Sequence, residues 1–273
     1  MDRKTPVQLP EGYEEFYKEL ENWQNEKQVY LKKLNPVNKT SLSEVLTVKK
    51  KPLLIATGFK VDPEQYREML FDFISFLKKA RPSVADIIDR LAADLDKFDF
   101  ADITEKLLTG QDLNNLEEAS IISPDLALFI FDHALRPFLR VQAEAYQEDL
   151  ANDDFRSWDL PMTCPICGSQ PTISRLRKSD GRRLMFCDHC FAEWEVKYLA
   201  CAYCQNDEPG TIRYLSVGDT DPYQIYTCDK CRGYIKTYDE RQSGQATDLF
   251  IANIKTIYLD MLAEEKGYKN HSS

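Results

Sequence analysis

CPICGSQPTISRLRKSDGRRLMFCDHCFAEWEVKYLACAYC occupies residues 164–204, and CDKCRGYIKT follows at 228–237. These two stretches hold all eight cysteines of the chain as four Cys-x-x-Cys pairs: Cys164 and Cys167, Cys187 and Cys190, Cys201 and Cys204, Cys228 and Cys231. A two-residue gap lets both sulfurs of a tight turn face one ion, while the N–H groups of the turn point at the thiolates and offset their charge. Nineteen residues lie between Cys167 and Cys187, and twenty-three between Cys204 and Cys228. Either interval is long enough for a hairpin that returns the second pair to the first. Sequential pairing therefore predicts one four-thiolate site from Cys164, Cys167, Cys187 and Cys190, and another from Cys201, Cys204, Cys228 and Cys231.

The segments between the pairs read as short strands at 172–176, 184–186, 194–198, 211–215, 223–227 and 234–237, rich in β-branched and aromatic residues. CDHCFAEWEVK at 187–197 parallels CDKCRGYIK at 228–236, with an acidic residue after the first sulfur and Trp194 or Tyr234 soon after the second. The pattern predicts two copies of one rubredoxin-like or zinc-ribbon-like unit. Strands this short cannot offset their own ordering entropy without metal. Tetrahedral sulfur suits iron and zinc alike, so spacing leaves the ion open. A site filled by four thiolates has no open position for Lewis-acid catalysis, and the βαβ context of a redox dithiol is missing.

Upstream, the periodicity is helical. Phe16, Tyr17, Leu20, Trp23, Tyr30 and Leu34 mark an amphipathic helix that Asn35-Pro36 ends. After a short apolar run at 53–57, Asp62-Pro63-Glu64 caps a second helix with Tyr66, Met69, Leu70, Phe73, Ile74 and Leu77 on one stripe. Ser83 is expected to cap a third, with the stripe Ile87, Ile88, Leu91 and Leu95, and residues 103–108 form a short helix closed by Gly110. Ser123-Pro124-Asp125 opens a long, broadly apolar helix through residue 150, which Pro137 should kink or interrupt. After 158–161 the strand pattern takes over, and a closing helix at 246–265 turns Leu249, Ile251, Ile254, Ile257, Tyr258, Met261 and Leu262 inward.

The fold class expected is α+β: a mostly helical domain at 1–160, two tandem metal-binding modules at 161–198 and 199–241, and a C-terminal helix at 242–273 packing back on the rest. The hydrophobic fraction of 43% supports a buried core.

The chain has 45 acidic and 35 basic residues, and residues 1–160 carry 30 of the acidic against 21 of the basic ones. Arg175, Arg177, Lys178, Arg182 and Arg183 form the dense basic cluster of a nearly neutral 161–240 segment. This balance argues against a phosphate-tracking surface. The start MDRKTPVQLPEGYEEF lacks the order of parts of a secretory signal, and no run of 18 apolar residues occurs, so a cytoplasmic protein without a membrane span is expected. A reducing compartment favours metal thiolates over disulfides.

Outside the cysteines, His133 with Arg136 and Arg140 reads as a half-buried histidine beside solvated arginines. His189 sits inside a knuckle with its ring expected outward, and Asp188 and Asp229 are expected to tune or cap their turns. Trp194, Tyr203, Tyr234 and Tyr238 read as packing, and Arg182-Arg183 with Glu193-Trp194 reads equally as an exposed recognition set or an ordinary solvated hairpin. Phosphate-binding glycine loops, HExxH and nucleophile elbows are absent, so no catalytic residue is nominated and no enzyme is expected.

CPICGSQP at 164–171, GRRLMFCDHCFAEW at 181–194, CAYC at 201–204, CDKCRGYIKT at 228–237, DLFIANIKTIYLDMLAEEKGY at 248–268 and HALRPFL at 133–139 together resemble the FdhE family of formate dehydrogenase accessory proteins. The resemblance implies a cytoplasmic maturation factor that binds the catalytic subunit of a respiratory formate dehydrogenase before export or assembly. It shifts the expected ions toward iron, two per chain, with zinc as the alternative, and leaves a homo-oligomer admissible. The competing reading is a metal-stapled adaptor whose zinc ribbons bind another protein or nucleic acid.

Overall fold

Alternating β-branched and aromatic residues after position 172 form six strands, β1 (Ile173–Leu176), β2 (Arg183–Phe186), β3 (Glu193–Val196), β4 (Ile212–Ser216), β5 (Tyr223–Cys228) and β6 (Tyr234–Asp239). The computed structural model describes residues 9–111, 113, 123–152, 160, 162–216 and 221–270. The chain divides into two compact units. One takes the described residues up to Lys18, Tyr146–Cys164 and those from Ser169 onward; the other takes Glu19–Ala145 and Pro165–Gly168. Leu160 apart, the 158–161 composition boundary lies outside the described residues.

The six strands make one sheet in the order β3-β2-β1-β6-β5-β4. Each half is an antiparallel meander, and the halves join where β1 runs parallel to β6, with Ile173 opposite Lys236 and Leu176 opposite Asp239. The two copies read in the sequence thus share one hydrogen-bonded sheet.

One face of that sheet carries the C-terminal helices. Asp248 accepts from the Ile251 N–H (3.1 Å) and starts the first of them, Leu249–Lys255; the second covers Ile257–Glu265. The single closing helix of the sequence reading is therefore broken at Thr256, whose hydroxyl donates to the carbonyls of Ala252 (2.8 Å) and Asn253 (3.3 Å). The break shifts the buried stripe to Tyr258, Leu259 and Ala263, and it leaves Ile257 and Met261, expected inward, exposed. Leu249, Phe250, Ile251 and Ala252 pack with Ile173, Phe186 and Tyr238, while Tyr258, Leu259 and Ala263 pack with Ile225 and Tyr234.

In the other unit, which takes the first helix from Glu19 on, the caps explain the helices. We label α1 (Tyr13–Leu34), α2 (Leu42–Lys49), α3 (Leu53–Thr57), α4 (Pro63–Ala80), α5 (Ala85–Asp94), α6 (Phe100–Thr109) and α7 (Pro124–Ala145). Asp62 accepts from the Gln65 N–H (2.9 Å) with Pro63 in the first turn of α4, whose buried face is the expected Tyr66, Met69, Leu70, Phe73, Ile74 and Leu77. Ser83 does not cap α5: Pro82–Val84 is a single 3-10 turn, and α5 begins without a side-chain cap, burying Ile88 and Leu91 while Ile87 stays exposed.

Pro137 does not interrupt α7, which continues to Ala145 and is followed, after Tyr146, by a short helix over Gln147–Asn152. Proline removes the N–H that would serve the carbonyl four residues back, that of His133. Gln24 Nε2 donates to that carbonyl instead, at 3.3 Å.

Candidate metal centres

Each cysteine pair closes a turn of one design. The N–H of the first cysteine donates to the carbonyl five residues on: Cys164 to Ser169 (2.8 Å), Cys187 to Ala192 (3.0 Å), Cys201 to Asn206 (2.8 Å) and Cys228 to Gly233 (2.9 Å). The residue after the second cysteine is left-handed every time, with φ of 89° at Gly168, 62° at Phe191, 57° at Gln205 and 60° at Arg232. Three side-chain-bearing residues in this costly region at equivalent positions show that the turn is fixed by its surroundings. The first turn takes glycine because a Cβ at Gly168 would lie 3.3 Å from both Ile55 Cδ1 and Pro52 Cγ. The same loop caps α3: the N–H groups of Leu53 and Leu54 donate to the carbonyls of Pro165 (2.8 Å) and Ile166 (3.0 Å).

The sulfurs converge as the spacing predicts. Cys164, Cys167, Cys187 and Cys190 form one group, Cys201, Cys204, Cys228 and Cys231 the other, and within each the four sulfurs lie within 4.8 Å of one another. Sulfur separations are 3.5 Å for Cys164–Cys190, 3.5 Å for Cys201–Cys231 and 3.8 Å for Cys204–Cys228. A disulfide needs about 2.05 Å, whereas a tetrahedral ion about 2.3 Å from each sulfur sets them roughly 3.8 Å apart. The donor sets therefore fit a metal ion at each position.

The two centres differ in exposure. All four cysteines of the first are buried, while in the second Cys201 and Cys228 are buried, Cys231 is half-buried and Cys204 is exposed. Burial pushes the Cys201 thiol up, and it also raises Cys231. At Cys228 burial acts the same way, but the N–H groups of Cys231 and Lys230, together with the Cys201 and Cys204 side chains, outweigh it and leave the thiol lowered. Gly233 N–H points at Cys231 Sγ (3.4 Å) and Asn206 Nδ2 at Cys228 Sγ (3.7 Å). Asn206 was not singled out in the sequence, although asparagine directly after a knuckle is a ready side-chain donor.

The other sequence candidates resolve into structure. His133, Arg136 and Arg140 are all buried, which corrects the reading of solvated arginines. Arg136 pairs with Asp132 (2.7 Å) one turn away. Arg140 donates to Gln24 Oε1 and to Asn25 Oδ1 (3.1 Å). Because arginine cannot accept, the Gln24 carbonyl must face Arg140 and its NH2 must face His133 Nδ1 (3.0 Å), which places the His133 proton on Nε2.

The basic cluster is largely neutralised: Arg175 pairs with Glu193 (2.6 Å) and Glu240 (2.8 Å), Arg177 with Asp180 (2.5 Å), and Arg182 with Glu195 (2.8 Å). Lys178 Nζ reaches the Gly244 carbonyl (2.9 Å). Arg183 is buried, so the exposed Arg182-Arg183 pair of the sequence reading is corrected as well. Asp229, expected to tune or cap its turn, accepts from Arg213 Nε (2.7 Å) and the Tyr268 hydroxyl (2.9 Å). Trp194 is fully buried; Tyr203, Tyr234 and Tyr238 donate to Asn270, Asp260 and the Gln245 carbonyl, as packing residues do. His189 is half-buried and stands outside both sulfur groups.

Comparison with known proteins follows the same segments. The model of the FdhE central domain matches residues 163–197, and that of the FdhE C-terminal domain matches 186–273. The chain is 29% identical over 204 residues to an FdhE homolog of Aquifex aeolicus (strain VF5), covering 72% of this chain and 69% of the relative. It is 28% identical over 240 residues to an FdhE homolog of Haemophilus influenzae (strain PittGG), covering 86% and 72%. The crystal structure of the FdhE protein from Pseudomonas aeruginosa aligns with a TM-score of 0.54 at 20% identity, covering 96% of this chain and 93% of that one, and so shares the fold. Both four-cysteine groups, the strands between them and the closing helices fall inside the matched segments, so over residues 163–273 the chain carries the central and C-terminal domains of the FdhE family.

Proposed function

We propose that this accessory protein binds the catalytic subunit of a formate dehydrogenase in the cytoplasm before that subunit is exported or assembled, and that each four-cysteine group holds one ion, iron in the cell and zinc where iron is withheld. The reading takes residues 161–198 and 199–241 as the two metal-binding modules, with Cys164, Cys167, Cys187, Cys190, Cys201, Cys204, Cys228 and Cys231 as ligands. The observation that carries it is the convergence of two complete tetrathiolate sets in one sheet. Four sulfurs fill a tetrahedral ion, so the ion would supply cross-linking and, if iron, one-electron chemistry. The chain's own residues then do the work of an accessory protein. The knuckles fix rigid loops, and the sheet between them carries paired, largely neutral charge rather than the basic stripe that nucleic acid requires. Among the described residues no helix is long and apolar enough to cross a membrane.

The test is anaerobic isolation of the full chain from its native host with metal analysis and identification of bound proteins. Two ions per chain, mainly iron, and a formate dehydrogenase catalytic subunit are expected. A folded chain free of metal and of that subunit would overturn the proposal.

A further inference from the structure

β2 opens with Arg183, whose side chain is 1% exposed. Its Nη1 donates to the Ala200 carbonyl (3.2 Å), its Nε to Ser174 Oγ (3.5 Å), and its guanidinium lies 4.6 Å from the centre of the Tyr226 ring. Among the described residues no carboxylate pairs with it. The other arginines on this sheet or next to its strands behave differently: Arg175, Arg177, Arg182, Arg213 and Arg241 each pair with an aspartate or glutamate, although all are more exposed. A fully buried cation without a counter-charge is strongly disfavoured, so the fold must repay it elsewhere.

The surroundings show where. Ala200, which accepts from Arg183, is the residue immediately before Cys201, and the narrow cleft that Arg183 lines also contains Cys201 and Cys228. Four thiolates around a divalent ion leave a net dianion. Such a dianion has the sign that a counter-charge to Arg183 needs, and among the described residues Arg183 is the one buried arginine of β1–β6.

Given that the four-cysteine groups hold metal, we propose that Arg183 is the internal counter-cation of the second centre, a positioning residue that lowers the cost of gathering the Cys201, Cys204, Cys228 and Cys231 thiolates. Its strand belongs to the hairpin of the first module. Retention of the second ion therefore depends on a residue that the first module delivers, which gives the shared sheet a chemical role.

The test uses the full chain under anaerobic conditions, cobalt(II) as the probe, a competing chelator, and the thiolate-to-cobalt absorption as the readout. Wild type, Arg183→Gln and Arg183→Lys are titrated, with Cys204→Ser and Cys204→Ser/Arg183→Gln to isolate the first centre. Wild type is expected to take up two ions. R183Q should keep one with unchanged affinity and bind the other at least about tenfold more weakly, the scale of a lost partner outside the ligand set. R183K should recover most of that loss, and the two C204S proteins should bind their one ion equally well. The proposal is overturned if R183Q holds both ions as wild type does, if R183K is no better than R183Q, or if R183Q weakens the ion left in the C204S background. Fewer than two ions on wild type would instead sink the metal reading on which it rests.

Discussion

Gln24 Nε2 donates to the carbonyl of His133, the one that Pro137 leaves without its helical N–H, and the same amide group contacts His133 Nδ1. One fully buried glutamine on α1 thus repairs a proline inside α7 and, through its carbonyl, accepts from Arg140. Replacing it strands several buried polar groups at once. Gln24→Met should destabilise the chain by about 2–4 kcal/mol, since each stranded group costs about 1–3 kcal/mol. Pro137→Ala restores an N–H to the His133 carbonyl, so the double variant should lose less than the two single losses added. Urea unfolding of the four proteins measures the cycle, and strict additivity would remove the link between Gln24 and Pro137.

The joint between the two halves of the sheet has a polar pin. Ser174 Oγ lies 2.7 Å from Thr237 Oγ1 across the parallel β1–β6 pair, both fully buried. Ser174→Ala should cost about 1–3 kcal/mol by leaving the Thr237 hydroxyl without its partner, and adding Thr237→Val should recover part of it. Thermal unfolding of the metal-loaded proteins decides; a double variant worse than the sum contradicts this account.

Gly168 and Gly110 are both left-handed, but only Gly168 faces neighbours within 4 Å. Gly110→Ala should cost about 1 kcal/mol, the backbone penalty alone. Gly168→Ala must also displace Pro52 or Ile55 and should cost about 1 kcal/mol more, with slower uptake of the ion at the first centre. Equal losses in the two variants would show that this contact carries no strain.

Unequal exposure of the sulfurs sets the order of metal loss. A chelator can attack Cys204 directly, whereas the first centre must open before any sulfur is reached. Excess chelator should therefore remove one ion per chain quickly and the second slowly, with near-native circular dichroism between the phases. Cys204→Ser should abolish the fast phase only. A single phase carrying both ions would contradict the difference in burial.

Asp180 sits at the tip of the hairpin that delivers Arg183, where the Arg177 guanidinium holds its carboxyl down at about 2 against an ordinary 3.8. A depressed carboxyl stabilises the fold above its unfolded value, so this contribution is complete above pH 3.8 and is lost as pH falls through about 2. The pair is partly solvated, so its share of stability is small. A side-chain carboxyl NMR titration should show a midpoint near 2 that moves up toward 3.8 in Arg177→Gln; no movement would assign the shift to another cause.

The cysteine spacing by itself indicated both four-cysteine groups and the hairpin within each, because two sulfurs separated by two residues face the same side of a tight turn. Strand positions were legible within a residue or two for the same reason: the turns bracket them. Periodicity also fixed the buried face of α4, where Asp62 and Pro63 signal the start. Only the tertiary structure decided what depends on partners remote in sequence. Pro137 reads as a break until Gln24, 109 residues from His133, supplies the missing bond. Arg183 reads as a solvated hairpin charge until β1 and β6 pair and close the sheet over it, and the second half of the closing helix turns because Thr256 interrupts it. Local sequence encodes turn geometry and hydrophobic period; which buried polar group meets which is a long-range matching that no local pattern contains.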